Sequence, residues 1–128
     1  PCCGILDCSV DRKTGKIFVG YLGAFSVDIF DMTGKKIGKF GKRGRAKQDF
    51  CGCCNPVSVA ACPGGLIATT EKTTPCVKIF GVKGTLLGKV DISQVAKGCG
   101  KMDIIVGPDN AIYVVNMKAG MIMKFEAK

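Results

Sequence analysis

Three segments of the chain share one pattern of aliphatic and aromatic residues, and this repetition limits the fold more than any other feature. Each segment contains Ile and, 13 residues later, Phe: Ile17 and Phe30, Ile67 and Phe80, Ile112 and Phe125. Successive segments begin 50 and 45 residues apart. A period of this length is typical of folds that stack one small structural unit several times.

Each segment has the pattern of short strands separated by turns. In the second segment the predicted strands are Val57–Ala61, Leu66–Thr70, Val77–Phe80 and Leu86–Val90. Pro and Gly between the first two strands are turn-forming residues. Four short antiparallel strands per repeat are typical of a β-propeller blade, and no stretch has a sustained helical period.

The sequence therefore predicts an all-β fold of three stacked propeller blades. We place the blades at residues 1–50, 51–97 and 98–128. The third blade lacks its outer strand, which leaves eleven strands and an open edge at each end. We expect this partial propeller to be completed by another chain or by a second copy, and we expect Pro1 to be a processed N-terminus.

The second segment resembles the NHL repeat. The resemblance is carried by the run Cys54-Asn55-Pro56, the Gly64-Gly65 turn, the strand Val77–Phe80 and the Lys83-Gly84 hairpin. All three segments are similar to this family, and together they cover nearly the whole chain. The resemblance implies a propeller that is usually a closed ring of about six blades.

Nine cysteines form a second pattern. Cys3, Cys54 and Cys99 occupy one repeat position, so stacked blades would bring them to one end of the central channel. Converging thiolates can bind a soft metal or an iron–sulfur cluster. Such a site would comprise Cys2, Cys3, Cys51, Cys53, Cys54 and Cys99. Disulfides between these loops and buried inert thiols are the alternatives.

The remaining cysteines lie in strand or turn positions. We expect Cys8, Cys62 and Cys76 to be small core residues or disulfide partners rather than metal ligands. An odd number of cysteines cannot all pair within one chain. The cysteine content favours an extracytoplasmic location, periplasmic or secreted.

A basic segment follows the first repeat, and the chain carries a net charge of +9. We predict a partner-binding surface at Lys35, Lys36, Lys39, Lys42, Arg43, Arg45 and Lys47. It would suit an acidic or redox partner protein, or nucleic-acid phosphates. Nucleic acid is the weaker expectation, because Phe40 and Phe50 only flank the segment. A solvated loop is the alternative.

Histidine is absent, which removes Ser-His-Asp and Cys-His nucleophiles. No apolar run is long enough to form a transmembrane helix. We therefore expect a non-catalytic scaffold or binding subunit whose cysteine-lined propeller face contacts a partner protein. The second hypothesis is an electron-transfer subunit with a cysteine-bound cluster or metal, and the third is RNA binding through the basic loop.

Overall fold

The computed structural model describes residues 6–96 and 102–126, and this part of the chain consists almost entirely of β-strands. The strands are β1 (Leu6–Asp11), β2 (Lys16–Tyr21), β3 (Ser26–Asp31), β4 (Lys36–Phe40), β5 (Ser58–Cys62), β6 (Leu66–Glu71), β7 (Cys76–Phe80), β8 (Leu86–Asp91), β9 (Met102–Val106), β10 (Ile112–Asn116) and β11 (Met121–Phe125). Single 3-10 turns lie at Leu22–Ala24 and Pro63–Gly65. Within these ranges no helix is long and apolar enough to cross a bilayer.

The strands form three antiparallel sheets, each built from strands that follow one another along the chain. The sheets are β1-β2-β3-β4, β5-β6-β7-β8 and β9-β10-β11. The predicted all-β fold of propeller blades is confirmed, including the three-stranded last sheet within the described ranges. The blade limits themselves remain a prediction, since residues 1–5, 97–101 and 127–128 lie outside the described part.

The sheets stack through their first strands. β5 packs against β1 on one side and against β9 on the other. Two side chains of β1 fix the first of these contacts: Asp7 Oδ2 accepts a hydrogen bond from Val59 N and Ser9 Oγ accepts one from Ala61 N, both at 2.8 Å. β1, β5 and β9 are therefore the inner strands of the stack.

Side chains that alternate along the strands build two apolar layers, one between each pair of neighbouring sheets. Phe18 and Val27 of the first sheet meet Ile67 and Phe80 of the second. The opposite face of the second sheet packs on residues such as Val114 in the third. Only the middle sheet has both faces covered by described residues, so its strands β5, β6 and β7 are mostly buried.

Each outer sheet has one apolar face that no described residue covers. Leu6 (55% exposed), Val10 and Tyr21 lie on the outer face of the first sheet. Ile105 and Ile122 (70% exposed) lie on the outer face of the third. The corresponding faces of the middle sheet are buried, so this surface has the composition of an interface between blades.

Because the strands alternate in direction, the connections collect at two ends of the stack. One end contains segment 41–57 and the turns at 22–25, 72–75 and 117–120, and we call it the upper end. The lower end contains the turns at 12–15, 32–35, 81–85 and 107–111. The candidate site lies at the upper end.

Candidate partner-binding site

Segment 41–57 leads from β4, the outer strand of the first sheet, to β5, the inner strand of the second. Phe50 anchors it: its side chain is fully buried and its ring centroid lies 5.8 Å from that of Phe80. Phe50 N donates to Lys42 O at 3.0 Å, and Gly44 N donates to Phe50 O at 3.2 Å. The segment therefore folds back on itself and is held down by a core aromatic side chain.

Asp49 fills the inside of this loop. Its carboxylate is buried and accepts a hydrogen bond from Ala46 N at 3.2 Å. A Cβ atom added at Gly44 would overlap the Asp49 carboxylate. Gly44 is therefore required by the close approach of the Asp49 side chain rather than by an unusual backbone angle.

A buried ion pair joins the loop to the middle sheet. The side chains of Glu71 in β6 and Lys78 in β7 are 1% and 2% exposed and contact each other directly. Lys78 Nζ also donates to Asp49 O at 2.5 Å, while Glu71 Oε2 accepts from Cys51 N at 3.4 Å. Each member of the pair thus holds one point of segment 41–57, and the pairing offsets the large desolvation penalty of the two charges.

Cys76 extends this buried group. Its thiol donates to Glu71 Oε1 at 3.5 Å. Burial, with a further contribution from the Glu71 carboxylate, raises the pKa of Cys76 to about 12, and burial raises the pKa of Cys62 to about 11. Both remain protonated at neutral pH, as expected for core cysteines. The same expectation is wrong for Cys8, which is exposed because nothing described covers its face of β1.

Asn55 fixes the end of the segment that contains the cysteines. Its side chain is fully buried, with Nδ2 donating to Cys51 O at 2.6 Å and Oδ1 accepting from Lys72 N at 2.9 Å. Cys53 N donates to Thr73 Oγ1 at 3.2 Å. These bonds attach residues 51–55 to the turn between β6 and β7.

Three of the predicted metal ligands lie in this segment, and two of them, Cys53 and Cys54, have adjacent sulfur atoms. Cys53 Sγ lies 3.1 Å from Cys54 Sγ, Cys54 is disulfide-bonded, and Cys51 is a free thiol 3.9 Å from Thr74 Oγ1. The other three, Cys2, Cys3 and Cys99, lie outside the described residues. In the described ranges no group of three or more acidic or cysteine side chains is placed to hold a metal ion. The six-cysteine site stays a prediction, and a disulfide-bonded Cys54 is not a thiolate ligand.

Four of the predicted partner-binding cations surround the loop at the upper end. They are exposed and, among the described residues, none of them forms an ion pair: Lys42, Arg43, Arg45 and Lys47. The Arg43 guanidinium lies over the Phe25 ring, 5.3 Å from its centroid. This cation–π contact fixes the direction of one of the four charges.

The other three cations of the basic segment lie elsewhere. Lys35 and Lys36 are at the lower end, where Lys36 Nζ forms an ion pair with Asp28 at 2.7 Å. Lys39 lies between the ends, within β4. Six of the seven cations therefore fall into two groups at opposite ends of the stack, with Lys39 between them, and the seven do not form one cluster.

The buried supports of the loop are the residues that sequence reasoning missed. The predicted strands of the second segment include Lys78 and end one residue before Glu71, and they assign neither residue a role. A signal was present: strand alternation places Lys78 on the same face as Phe80, which faces a neighbouring sheet. A lysine at such a position requires an acidic partner, and Glu71 is the acidic residue at the end of the adjacent strand.

Comparison with known proteins shows likeness in fold only. The sequence matches no known family profile and no curated protein. Among solved structures, the WD40 repeats of RRP9 match 94% of this chain at 12% identity with a TM-score of 0.50. U3-55K matches 92% of it, also at 12% identity and a TM-score of 0.50. A Bacteroides caccae protein of unknown function matches 95% at 14% identity with a TM-score of 0.55.

The chain spans less than half of each of these structures: 36% of RRP9, 36% of U3-55K and 46% of the Bacteroides protein. At these identities the comparisons show the fold, and they do not confirm the NHL type. The three sheets of this chain are propeller-type blades, similar in structure to WD40 repeats.

Proposed function

We propose that this chain is a non-catalytic binding subunit of a larger assembly, and that its upper end contacts an acidic partner protein. One observation carries the proposal. Segment 41–57 is held from beneath by fully buried side chains, yet presents four exposed cations that have no acidic partner among the described residues.

The support beneath the loop favours binding. Phe50, Asn55 and the Glu71–Lys78 pair hold the backbone in one arrangement before any partner arrives. A loop that is already ordered loses less conformational entropy on association. Clustered charges of one sign also increase the rate at which an oppositely charged partner is encountered.

The cysteines belong to the same surface. Cys51 and Cys53 lie in the supported segment, and Cys53 is exposed. A partner seated on the upper end would therefore face cysteines as well as cations, as in the cysteine-lined face expected from the sequence. In this proposal the blades are of the NHL type, on the strength of the Asn55-Pro56 motif and the repeat spacing.

A protein partner is favoured over RNA by the positions of the aromatic side chains. Phe40 and Phe50 flank the basic residues in sequence, but both are buried and pack against Phe80, with ring centroids 5.0 and 5.8 Å from it. Phe25 is covered by Arg43. Single-stranded RNA is normally held by bases stacked on accessible aromatic rings.

The test compares two variants with the same change in charge. In the first, the four upper-end cations are replaced by Gln: Lys42, Arg43, Arg45 and Lys47. In the matched control, four exposed cations of the lower-end turns are replaced by Gln: Arg12, Lys13, Lys35 and Lys83. Binding to labelled poly-L-glutamate and to poly(U) RNA is measured by fluorescence anisotropy at low and at physiological salt.

We expect the upper-end variant to bind poly-L-glutamate at least about ten-fold more weakly than the parent, and the control to bind within about two-fold of it. Equal losses in the two variants would show that net charge alone governs binding and would contradict the proposal. Preferential binding of poly(U), lost in the upper-end variant, would instead support RNA as the partner.

A further inference from the structure

We propose that a pocket at the lower end of the stack binds a small amphipathic carboxylate. The carboxylate group would lie beside Arg12 and Lys13, and the apolar body of the ligand would lie against the ends of the inner strands. This site is at the opposite end from segment 41–57 and does not depend on the function proposed above.

The pocket has a volume of about 500 Å³ and lies between the turn that joins β1 to β2 and the turn that joins β5 to β6. Its apolar wall includes Ala61 and Cys62 of β5, Val106 of β9, and Val82 from the turn between β7 and β8. Pockets that bind small ligands usually have a volume of about 300–1,000 Å³ and a mainly apolar lining with a few polar groups. The wall therefore suits a ligand with an apolar body.

The repeat explains why apolar side chains meet at this level. Ala61 and Val106 occupy one repeat position, since each lies opposite the Ile of its own segment, Ile67 or Ile112, in the antiparallel register. The sheets stack through β5 and β9, so equivalent positions on these strands come close together. Both residues are small, and they leave space rather than fill it.

The second of the two turns is built from residues that also leave space. It reads Pro63-Gly64-Gly65, and a Cβ atom added at Gly64 meets nothing within 4 Å. A Cβ atom added at Gly65 would lie 2.8 Å from Val82 Cγ1, so Val82 packs closely on this turn because residue 65 has no side chain. The glycines thus keep the pocket open on this side and bring an aliphatic side chain to its edge.

The first turn supplies positive charge. Arg12 and Lys13 line the pocket, are exposed, and form no ion pair with any described residue. Asp11 also lines it, but its Oδ1 accepts from Lys13 N at 3.0 Å and its Oδ2 accepts from Thr14 Oγ1 at 2.7 Å. The bond from Thr14 lowers the pKa of Asp11, so this carboxylate stays charged and holds the turn in place.

The turn therefore keeps two cations against one carboxylate, and the thiol of Cys62 is protonated at neutral pH and adds no negative charge. An excess of positive charge beside an apolar wall is complementary to a ligand with one anionic group and an apolar body. An arginine guanidinium pairs with a carboxylate through two parallel hydrogen bonds. These two features together select an amphipathic carboxylate over a neutral or cationic ligand of the same size.

The probe is sodium octanoate, titrated into the whole nitrogen-15-labelled chain and followed by amide chemical shifts. We expect saturable shifts at the amides of Lys13, Gly64 and Gly65. Octylammonium, with the same apolar body and the opposite charge, should bind about ten-fold more weakly, and neutral 1-octanol about five-fold more weakly. Octylammonium or 1-octanol binding as tightly as octanoate would overturn the proposal, because the cations would then take no part.

Two charge variants test the role of the first turn. Arg12→Gln/Lys13→Gln should weaken octanoate binding about five-fold or more. The matched control Lys35→Gln/Lys83→Gln makes the same change in charge in lower-end turns, at exposed residues that do not line the pocket, and should bind within about two-fold of the parent. Equal losses in the two variants would overturn the assignment of the carboxylate to Arg12 and Lys13.

Two size variants test the apolar wall. Val82→Trp places a large side chain at the edge of the pocket and should weaken octanoate binding about five-fold or more. Leu87→Trp makes a similar change at an exposed aliphatic residue outside the pocket and should leave binding within about two-fold of the parent. Both positions are more than half exposed, so both variants should fold.

Absence of saturable shifts at the two turns, or shifts confined to the exposed apolar faces of the outer sheets, would overturn the proposal. Equal binding by Val82→Trp and Leu87→Trp would overturn it as well. Poly-L-glutamate has no apolar body to enter the pocket, so a failure of binding at the upper end has no bearing on these outcomes.

Discussion

Replacement of Lys78 by Met tests whether a buried ion pair supports the candidate site. The change leaves the Glu71 carboxylate, which is 1% exposed, without its cation, and it leaves Asp49 O without the donor at 2.5 Å. Removing one member of a buried ion pair destabilises a protein by about 3–5 kcal/mol. Small domains have only about 5–15 kcal/mol in total, so Lys78→Met should remain folded at low temperature with little margin.

The second substitution makes the test specific. Glu71→Gln removes the remaining charge but keeps an oxygen that can accept from Cys51 N. The double variant Glu71→Gln/Lys78→Met should therefore recover at least about 2 kcal/mol relative to Lys78→Met alone, because no uncompensated buried charge remains.

Urea denaturation followed by circular dichroism at 25 °C and pH 7 measures both effects. With a slope of about 2 kcal/mol per molar urea, the midpoint should fall by about 1.5–2.5 M in Lys78→Met and rise again in the double variant. A double variant as unstable as, or less stable than, Lys78→Met would refute the reasoning, since the two changes would then act independently.

Two further predictions concern thiol reactivity and loop geometry. Burial raises the pKa of Cys62 to about 11 and that of Cys76 to about 12, so iodoacetamide at pH 8 should alkylate the exposed Cys8 well before either of them. Peptide mass spectrometry measures the alkylation rate of each cysteine, and equal rates for the three would contradict the burial of Cys62 and Cys76. Gly44→Ala should destabilise the chain by about 1–3 kcal/mol because its Cβ overlaps the Asp49 carboxylate, whereas Gly23→Ala, with open space around it, should stay within about 0.5 kcal/mol of the parent. Urea midpoints measure both, and equal effects would show that the contact at Gly44 is not tight.

The repeat made most of the fold predictable. Each of the three segments has an Ile followed 13 residues later by a Phe. The structure pairs these residues directly in register, Ile67 with Phe80 and Ile17 with Phe30. Strand alternation and turn residues are local properties, so they can be read from the sequence. The strand predicted at Val57–Ala61 is displaced by only one residue, to Ser58–Cys62.

The candidate site was less predictable because it depends on contacts between residues far apart in sequence. The clustering of cations in the sequence predicts one basic surface, but β4 runs between Lys36 and Lys42 and places them at opposite ends of the sheet. Strand alternation indicates that Lys78 needs an acidic partner in the adjacent strand, but the position of the Glu71–Lys78 pair beneath segment 41–57 depends on contacts with Asp49 and Cys51 that the sequence does not predict.

Amide hydrogen exchange tests most directly whether segment 41–57 is a fixed platform that receives the partner. In the free chain, the amides of Cys51, Phe50 and Gly44, which are hydrogen-bonded within the protein, should exchange about as slowly as those of β4. Poly-L-glutamate should slow exchange further at residues 42–47 and leave the lower-end turns unchanged. Exchange of these three amides at the rate of an unstructured peptide, or added protection confined to the lower end, would contradict the claim that segment 41–57 is a fixed binding platform.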